Sequence, residues 1–384
     1  MQFLYIAPRY HTNQVPIMRG LIRKGHKVCF ISQYAGRVED YSDVTPIVTG
    51  YSSIYRVIDA CYVKVMGKID KRAKDRNIKC GFPPISKLAK EIKKSKADVA
   101  ILRERSVYSI FAHLICKKYG IPTILYNQSP LWEDRIKNDL PHKLMRKLTP
   151  SVRMTPVMGT KKEGKVIEPG AMFIPFVMEP EMAPEERLWC KDGVIHIFSI
   201  GKYEQRKNHR MMVEVIEELA KTYPVHLTIA GECSTGAHNE YFENLRKYAA
   251  DHNLQDRVTL LQNLNRRQVG EEYKKADLFV IPSTLEPASI SQLEAMAYSL
   301  PVICGDKNGT ACYVENGKNG WQFKDNNKES LKDAVVKIIF DTENMKSMGK
   351  KSYEFICEKY QIETYIAGIE QLLECENEKY GKNR

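Results

Sequence analysis

No Cys-x-x-Cys pair occurs in this chain, although it carries ten cysteines in 384 residues. A zinc ribbon and a thioredoxin-type motif are thereby excluded. Several thiols sit in apolar runs, such as Cys29 in Val28-Cys29-Phe30-Ile31 and Cys304 after Pro301-Val302-Ile303. The pattern reads as buried, reduced thiols in a reducing cytoplasm. Gly-x-Gly-x-x-Gly is missing from both halves and a phosphate-binding P-loop is missing too, which disfavours dinucleotide oxidoreductases and P-loop enzymes. No apolar run approaches the roughly 18 to 20 residues that a membrane-spanning helix needs. The opening run, Met1 to Ala7, meets Pro8 and Arg9 at once and is too short for a secretory signal. The expectation is a soluble, cytoplasmic protein, or one held peripherally at the inner face of a membrane.

What is present is enough for two cores. The apolar fraction is 43%, and the length exceeds what a single core usually fills. The charge is uneven. Residues 1–184 hold 32 Lys+Arg against 16 Asp+Glu, a balance of +16, and the remainder carries −4. Such asymmetry points the first half at something anionic: a membrane surface, a phosphorylated acceptor or nucleic acid. The plain alternative is a solvated lysine-rich surface. No recognisable nucleic-acid module accompanies the charge.

Strand-like and helix-like runs alternate. Strands are expected at Phe3–Ala7, Val28–Ser32, Asp98–Leu102 and Pro122–Tyr126, with helices at Val15–Lys24 and Val107–Tyr119 between them. The alternation restarts with strands at Val194–Ile200, Val225–Ala230, Val258–Leu261, Leu278–Ile281 and Val302–Cys304. Helices are expected at His209–Thr222, Glu240–Asn253, Arg267–Ala276, Ser289–Tyr298 and Lys328–Phe340. This is the pattern of an α/β fold with mostly parallel sheets. The division reads as 1–180, 190–352 and a last helix within 353–384 (Tyr353 to Glu374) that crosses back onto the first domain. The Pro- and Glu-rich stretch Phe176–Asp192 reads as the linker. Lys64–Lys79 and Lys87–Lys96 read as exposed helix faces, and Pro141–Thr149 as a basic surface segment.

The strongest signal is Leu278-Phe279-Val280-Ile281-Pro282-Ser283-Thr284-Leu285-Glu286-Pro287-Ala288-Ser289-Ile290-Ser291-Gln292-Leu293-Glu294-Ala295-Met296-Ala297. It reads as buried strand, loop and helix, with Ser289 the expected N-cap. The free N–H groups at that helix start would suit a phosphate. Glu286 falls in the loop and Glu294 in the helix, so one carboxylate would meet a sugar and the other ribose hydroxyls. Ser199-Ile200-Gly201-Lys202-Tyr203-Glu204-Gln205-Arg206-Lys207-Asn208 follows the first strand of the same half. By itself it reads as a lysine-rich turn between a strand and a helix.

Together these segments resemble the retaining glycosyltransferases of the family-four type, which have the GT-B fold. The E-x7-E-A-M-A run carries the resemblance, with Tyr273-Lys274-Lys275-Ala276-Asp277 before it and Leu300-Pro301-Val302-Ile303 after it. The loop after Ser199 is similar to the family's G-R-x4-K-G. Gly201 and Lys207 match, whereas Lys202 stands where Arg is usual and loses the bidentate fork, a loss Arg206 could make good. Leu227–Glu232, Asn308-Gly309-Thr310, Val314–Gly320 and Leu21–Val28 are smaller matches.

The resemblance implies two facing Rossmann-like domains with a cleft between them, and transfer of a sugar from a nucleoside-diphosphate sugar with retention. It implies a glycan or lipid-linked acceptor, as in cell-surface polysaccharide or glycolipid synthesis. Lys207, Glu286 and Lys202 would be catalytic. Gly201, Lys202, Arg206, Lys207, Glu286, Ala288, Ser289, Ile290 and Glu294 would bind the donor. No Asp-x-Asp pair occurs, which fits a site that uses basic residues and needs neither metal nor cofactor. The chain departs from the pattern at Pro8-Arg9-Tyr10-His11-Thr12-Asn13, which replaces a Gly-Gly loop, and at Ala288-Ser289, which replaces an aromatic-Gly pair. His11, Asn13, Asn127 and Gln128 are the candidates for the acceptor or phosphate side. A sugar-nucleotide epimerase of the same fold, or a catalytically silent partner subunit, is the alternative.

Overall fold

Gln2–Ala7 (β1) is apolar on both of its faces and is buried from Phe3 to Ala7. Such a run suits a strand covered on both sides. A computed structural model describes residues 1–36, 40–66, 80–104, 106–136, 138–159 and 163–380. The chain divides into two units. One comprises Met1–Pro156, Lys161–Val177 and Ile362–Arg384, and the other Val157–Thr160 and Met178–Gln361.

The strands of the first unit are β1, Lys27–Ser32 (β2), Ile47–Val48 (β3), Val99–Arg103 (β4), Thr123–Tyr126 (β5), Trp132–Glu133 (β6), Val152–Thr155 (β7), Val166–Ile167 (β8) and Ala171–Phe173 (β9). Its helices are Val15–Arg23 (α1), Ser53–Met66 (α2), Ile85–Ser95 (α3), Val107–Lys118 (α4) and Leu140–Leu148 (α5). The main sheet runs β3-β2-β1-β4-β5-β7-β9 and is parallel, while β6 and β8 form a separate antiparallel pair. Ser106 caps α4 by accepting a hydrogen bond from the Ser109 N–H at 3.1 Å. In α3, Leu88 and Ile92 turn into the core, and Lys87, Lys90, Lys93 and Lys94 are exposed. The basic segment Pro141–Thr149 is helix α5 with its cap at Thr149. Of the expected face Lys64–Lys79, Lys64 lies on α2, and 67–79 fall outside the described residues.

The second unit has strands Ile195–Ile200 (β10), Val225–Gly231 (β11), Val258–Gln262 (β12), Leu278–Ile281 (β13), Val302–Gly305 (β14) and Gly320–Phe323 (β15). Its helices are His209–Leu219 (α6), Gly236–Asp251 (α7), Arg266–Lys275 (α8), Ser291–Ala297 (α9), Lys328–Ile339 (α10) and Thr342–Lys359 (α11). Its sheet is parallel in the order β12-β11-β10-β13-β14-β15, a doubly wound Rossmann-like order. The order reverses between β10 and β13, where Ile197 pairs with Leu278 and Phe198 with Phe279. Their carboxyl ends therefore lie side by side at the position where such sheets bind ligands.

Three expectations are corrected. The segment read as a linker crosses between units only at Val177–Met178. The remainder is fastened to the second unit: the buried Arg187 donates to the carbonyls of Tyr298 and Ala276, and Glu181 N–H to that of Ala297. The last helix is two helices, α11 and Ile362–Tyr380 (α12), and the second unit ends at Gln361 rather than at 352. The break is fixed by long-range bonds, with Met178 N–H donating to Tyr360 O and Gln361 Nε2 to Met178 O. Beyond it, Ile362, Tyr365, Ile369 and Leu372 enter the core of the first unit, and Tyr5 and Tyr365 hydroxyls meet at 2.9 Å. The thiols are all free, as ten separate cysteines, but Cys61, Cys80 and Cys357 are exposed rather than buried.

Candidate functional site

Two loops meet beyond β10 and β13. The first turns through a short 3-10 segment, Gln205–Lys207, and Asn208 takes a left-handed φ of 54° before α6. The second runs from Pro282 to Ile290. They are joined by the Thr284 N–H, which donates to Arg206 O at 3.0 Å. They are joined again by charge. Lys207 Nζ and Arg206 Nη1 each lie 2.6 Å from the same oxygen of Glu286, whose side chain is 8% exposed. Burial works against ionisation of Glu286, but Lys207 and Arg206 outweigh it and hold its pKa below the ordinary value. Arg206 is shared with a second carboxylate, its Nη2 lying 3.0 Å from Glu204 Oε1.

Two glycines make this geometry possible. A β-carbon on Gly201 would stand 2.9 Å from Lys207 Cδ, so the lysine stem lies across the bare glycine. A β-carbon on Gly309 would stand 1.7 Å from the Pro287 carbonyl oxygen, and Gly309 N–H donates to Glu286 O at 2.8 Å. Gly309 thus packs directly on the backbone at Glu286 and Pro287.

Glu294 sits one turn into α9. It accepts a hydrogen bond from Tyr273 Oη at 3.2 Å. Burial raises its pKa, and the tyrosine hydroxyl partly offsets the effect.

Some expected features are placed differently. Lys202 turns away from Glu286 to pair with Glu232 at 3.2 Å, so Arg206 is the cation that stands beside Lys207. Helix α9 begins at Ser291, not Ser289, and its N-cap is Ile290 without a side-chain bond. The Ser289 hydroxyl meets that of Ser291 at 2.8 Å instead of capping the helix. Seven residues make a weak dipole, so the lysine and arginine side chains are the main cationic feature here. Ala288 precedes these serines in the same loop.

Residues the motif did not single out support the loops. Tyr203 is buried, and its hydroxyl donates to the carbonyls of Ile229 and Leu261 at 3.0 and 2.9 Å. His209 is buried, with Nε2 3.3 Å from the carbonyls of both Gly201 and Lys202. Burial lowers its pKa to about 4, so it holds the loop as a neutral ring. Gln292 Nε2 donates to Thr310 O at 2.9 Å and ties α9 to the glycine stretch. An aromatic and a histidine flanking a glycine-lysine loop were the only signals available for the first two.

In the first unit, Asn13 and Gln128 converge on the Tyr126 hydroxyl, the latter at 3.1 Å. Arg103 Nη2 donates to Gln128 Oε1 at 3.1 Å. Asn127 turns elsewhere, to Glu104 at 2.7 Å. His11 lies beside Arg9, 3.4 Å away, at the start of a short 3-10 turn.

Residues 190–355 match the family model "Glycosyl transferases group 1". Among curated relatives, the D-inositol 3-phosphate glycosyltransferase of Pseudarthrobacter chlorophenolicus is 28% identical over 41% of this chain and 37% of its own length. The GDP-mannose-dependent alpha-(1-6)-phosphatidylinositol monomannoside mannosyltransferase of Mycobacterium tuberculosis is 27% identical over 35% of this chain and 36% of its own. The aligned region thus spans well under half the length of these relatives. Solved structures match across both units. A glycosyltransferase from Rickettsia africae superposes with a TM-score of 0.71 at 15% identity, covering 98% of each chain. Anabaena HepE in complex with UDP and glucose gives 0.66 at 12% identity, covering 97% of this chain and 99% of that one. The fold is GT-B, with a Rossmann-like unit in each half.

Proposed function

We propose that the protein is a retaining glycosyltransferase of the family-four type that moves a sugar from a nucleoside-diphosphate sugar to a glycan or lipid-linked acceptor. The observation that carries this reading is the cluster of Lys207, Arg206 and Glu286 at the switch point of the second sheet, within the region matching the group 1 family. The GDP-mannose dependence of the mannosyltransferase relative and the UDP and glucose bound by HepE favour a nucleotide-sugar donor.

Lys207 and Arg206 face the diphosphate and stabilise the negative charge that grows on it as the C1–oxygen bond breaks. Lys202 reinforces them once its pairing with Glu232 is exchanged for phosphate. Gly201 lets the Lys207 stem cross it toward the donor, Ala288, Ser289 and Ile290 line the sugar, Glu286 orients its hydroxyls and Glu294 the ribose. The acceptor oxygen bonds to C1 on the face the diphosphate leaves, and its proton passes to the departing phosphate oxygen. Charge neutralisation falls to these side chains, with no metal or cofactor in the scheme. The acceptor binds the first unit, near His11, Asn13, Asn127 and Gln128, in cell-surface polysaccharide or glycolipid synthesis. The basic first half operates against the anionic inner face of a membrane; no helix among the described residues is long and apolar enough to cross one.

A thermal-shift panel of UDP, GDP, ADP, CMP and their sugar conjugates tests the reading. A ligand at 100 times its Kd adds about 2.7 kcal/mol of stability. Selective stabilisation by one nucleoside diphosphate is expected and names the donor class. A melt that no ligand shifts would leave a silent partner subunit, and conversion of a sugar nucleotide without acceptor would identify an epimerase.

A further inference from the structure

The carboxyl ends of the first unit's sheet hold a cavity of about 30 Å³. Ala7 ends β1, Arg103 ends β4 and Tyr126 ends β5, and all three line it, at the edge where such sheets take ligands. Its floor is apolar and belongs to the core of this unit: Tyr5, Ile17, Ile101, Met154, Ile174 and Tyr365. The two tyrosine hydroxyls bond each other at 2.9 Å. An apolar space of this kind stays dry, and the atoms around it lack contacts on that side. The volume is room for about two water-sized groups. A lipid chain or a second sugar ring would not fit.

Two polar side chains on the wall set what the incoming group must carry. Asn13 bonds the Tyr126 hydroxyl, and its side-chain oxygen is buried with no hydrogen-bond partner among the described residues. That oxygen calls for a donor. The Arg103 guanidinium lies over the Tyr126 ring at 4.9 Å and donates to Gln128 at 3.1 Å, which leaves donors among its five N–H groups. Gln14, the other amide on the wall, already accepts from the His11 N–H at 2.9 Å. Among the described residues no carboxylate lines the cavity, so nothing there calls for a cation. Arg9, the other arginine at this end of the sheet, is turned toward His11 at 3.4 Å. A phosphate or carboxylate on Arg103 would have no hydrogen to give Asn13 and would set its charge against that oxygen. A bare methyl would leave Asn13 unpaired, and a hydroxymethyl would carry its oxygen onto an apolar floor. An acetamido group brings an N–H, a carbonyl and one methyl together. We propose that the acceptor is an N-acetylated sugar: its acetamido N–H donates to Asn13 Oδ1, its carbonyl accepts from Arg103 and its methyl fills the cavity. This rests on the acceptor reading above and names the acceptor's class.

The test is saturation-transfer NMR on the full chain with free sugars, run beside the melt with nucleoside diphosphates. N-acetylglucosamine or N-acetylgalactosamine should bind, with the acetyl methyl the most strongly saturated group. Glucose and glucosamine should bind about tenfold more weakly or worse, the range for a lost group in a fitted pocket. N-butanoylglucosamine, whose acyl group is two carbons longer, should lose a similar factor because the cavity has no room for it. Asn13→Leu should weaken the N-acetyl sugar about tenfold, while a nucleoside diphosphate still shifts the melt and so shows the variant to be folded. Equal binding of glucose and N-acetylglucosamine, a butanoyl sugar that binds like the acetyl one, or an Asn13→Leu chain that binds like wild type would each overturn the proposal. Failure of both N-acetyl sugars to bind, with a nucleoside diphosphate shifting the melt, would overturn it too and leave the transferase reading standing. If no nucleoside diphosphate shifts the melt, both fall.

Discussion

Lys207 Nζ lies 2.6 Å from Glu286 Oε2, although 79 positions separate them in the chain. The contact brings a cation from one loop and a carboxylate from another to the same point beyond β10 and β13. Lys207→Ala is expected to lower the transfer rate about 10²- to 10³-fold, the range for loss of one charge-stabilising group. Arg206 still pairs Glu286, so the melt should move little. Full turnover at an unchanged donor KM would remove Lys207 from the mechanism.

Glu286→Gln gives a result of opposite sign for binding and rate. Without the carboxylate, Lys207 and Arg206 have no shared counter-charge. Titration calorimetry should show tighter binding of the free nucleoside diphosphate, while transfer slows because the sugar is no longer oriented. Weaker nucleotide binding would show that Glu286 holds the cations in place rather than competing for them.

Gly309→Ala and Gly201→Ala should differ in kind. The first drives a methyl into the Pro287 carbonyl, a backbone atom that cannot step aside. It should cost about 1–3 kcal/mol of stability, as overpacking does. The second meets only the Lys207 stem. It should leave the melt nearly intact and lower kcat by displacing the lysine. Urea unfolding and steady-state rates on both variants separate the two cases.

The pH dependence of stability should carry the mark of Glu294. Its pKa is raised in the folded chain, chiefly by burial. Its contribution is therefore fully present below the ordinary carboxylate pKa and is lost as pH rises through the folded value. Glu294→Gln should gain on wild type in unfolding free energy as pH rises across that window. A difference that is flat with pH would show that Glu294 is not strained by burial.

Tyr273→Phe removes the hydroxyl that bonds Glu294 at 3.2 Å and Ser291 O at 3.1 Å. The expected loss is about 0.5–1.5 kcal/mol per hydrogen bond. Donor KM should rise more than kcat falls, because the carboxylate assigned to the ribose loses its support. Equal losses in kcat and kcat/KM, with KM unchanged, would move Glu294 from donor binding into the chemical step.

Much of the fold is legible along the chain. Strands β1, β2, β4, β5 and those from β10 to β14 fall on apolar runs, and the helices between them on periodic ones, to within a few residues at most ends. The short strands β3, β7, β9 and β15 were not legible. Two to four residues carry too little pattern to be separated from loop, and these strands exist because a neighbouring edge pairs with them. The split between α11 and α12 was hidden for a related reason. The apolar stripe continues through it, and the Met178 backbone and side chains of two different cores decide where the chain turns.

By itself the sequence determined the alternating α/β pattern, the glycine-lysine loop after β10 and the glutamate loop after β13. Each is written in residues that are neighbours along the chain, where periodicity and turn chemistry act. Only the tertiary structure decided which cation faces Glu286. Lys202 and Arg206 sit four residues apart in one loop, and local chemistry does not distinguish them. Strand order does: β11 lies beside β10 on one side and presents Glu232 to Lys202, while β13 lies on the other and presents Glu286 to Arg206 and Lys207. Such partners are set by which strands pair, and spacing along the chain does not contain that information.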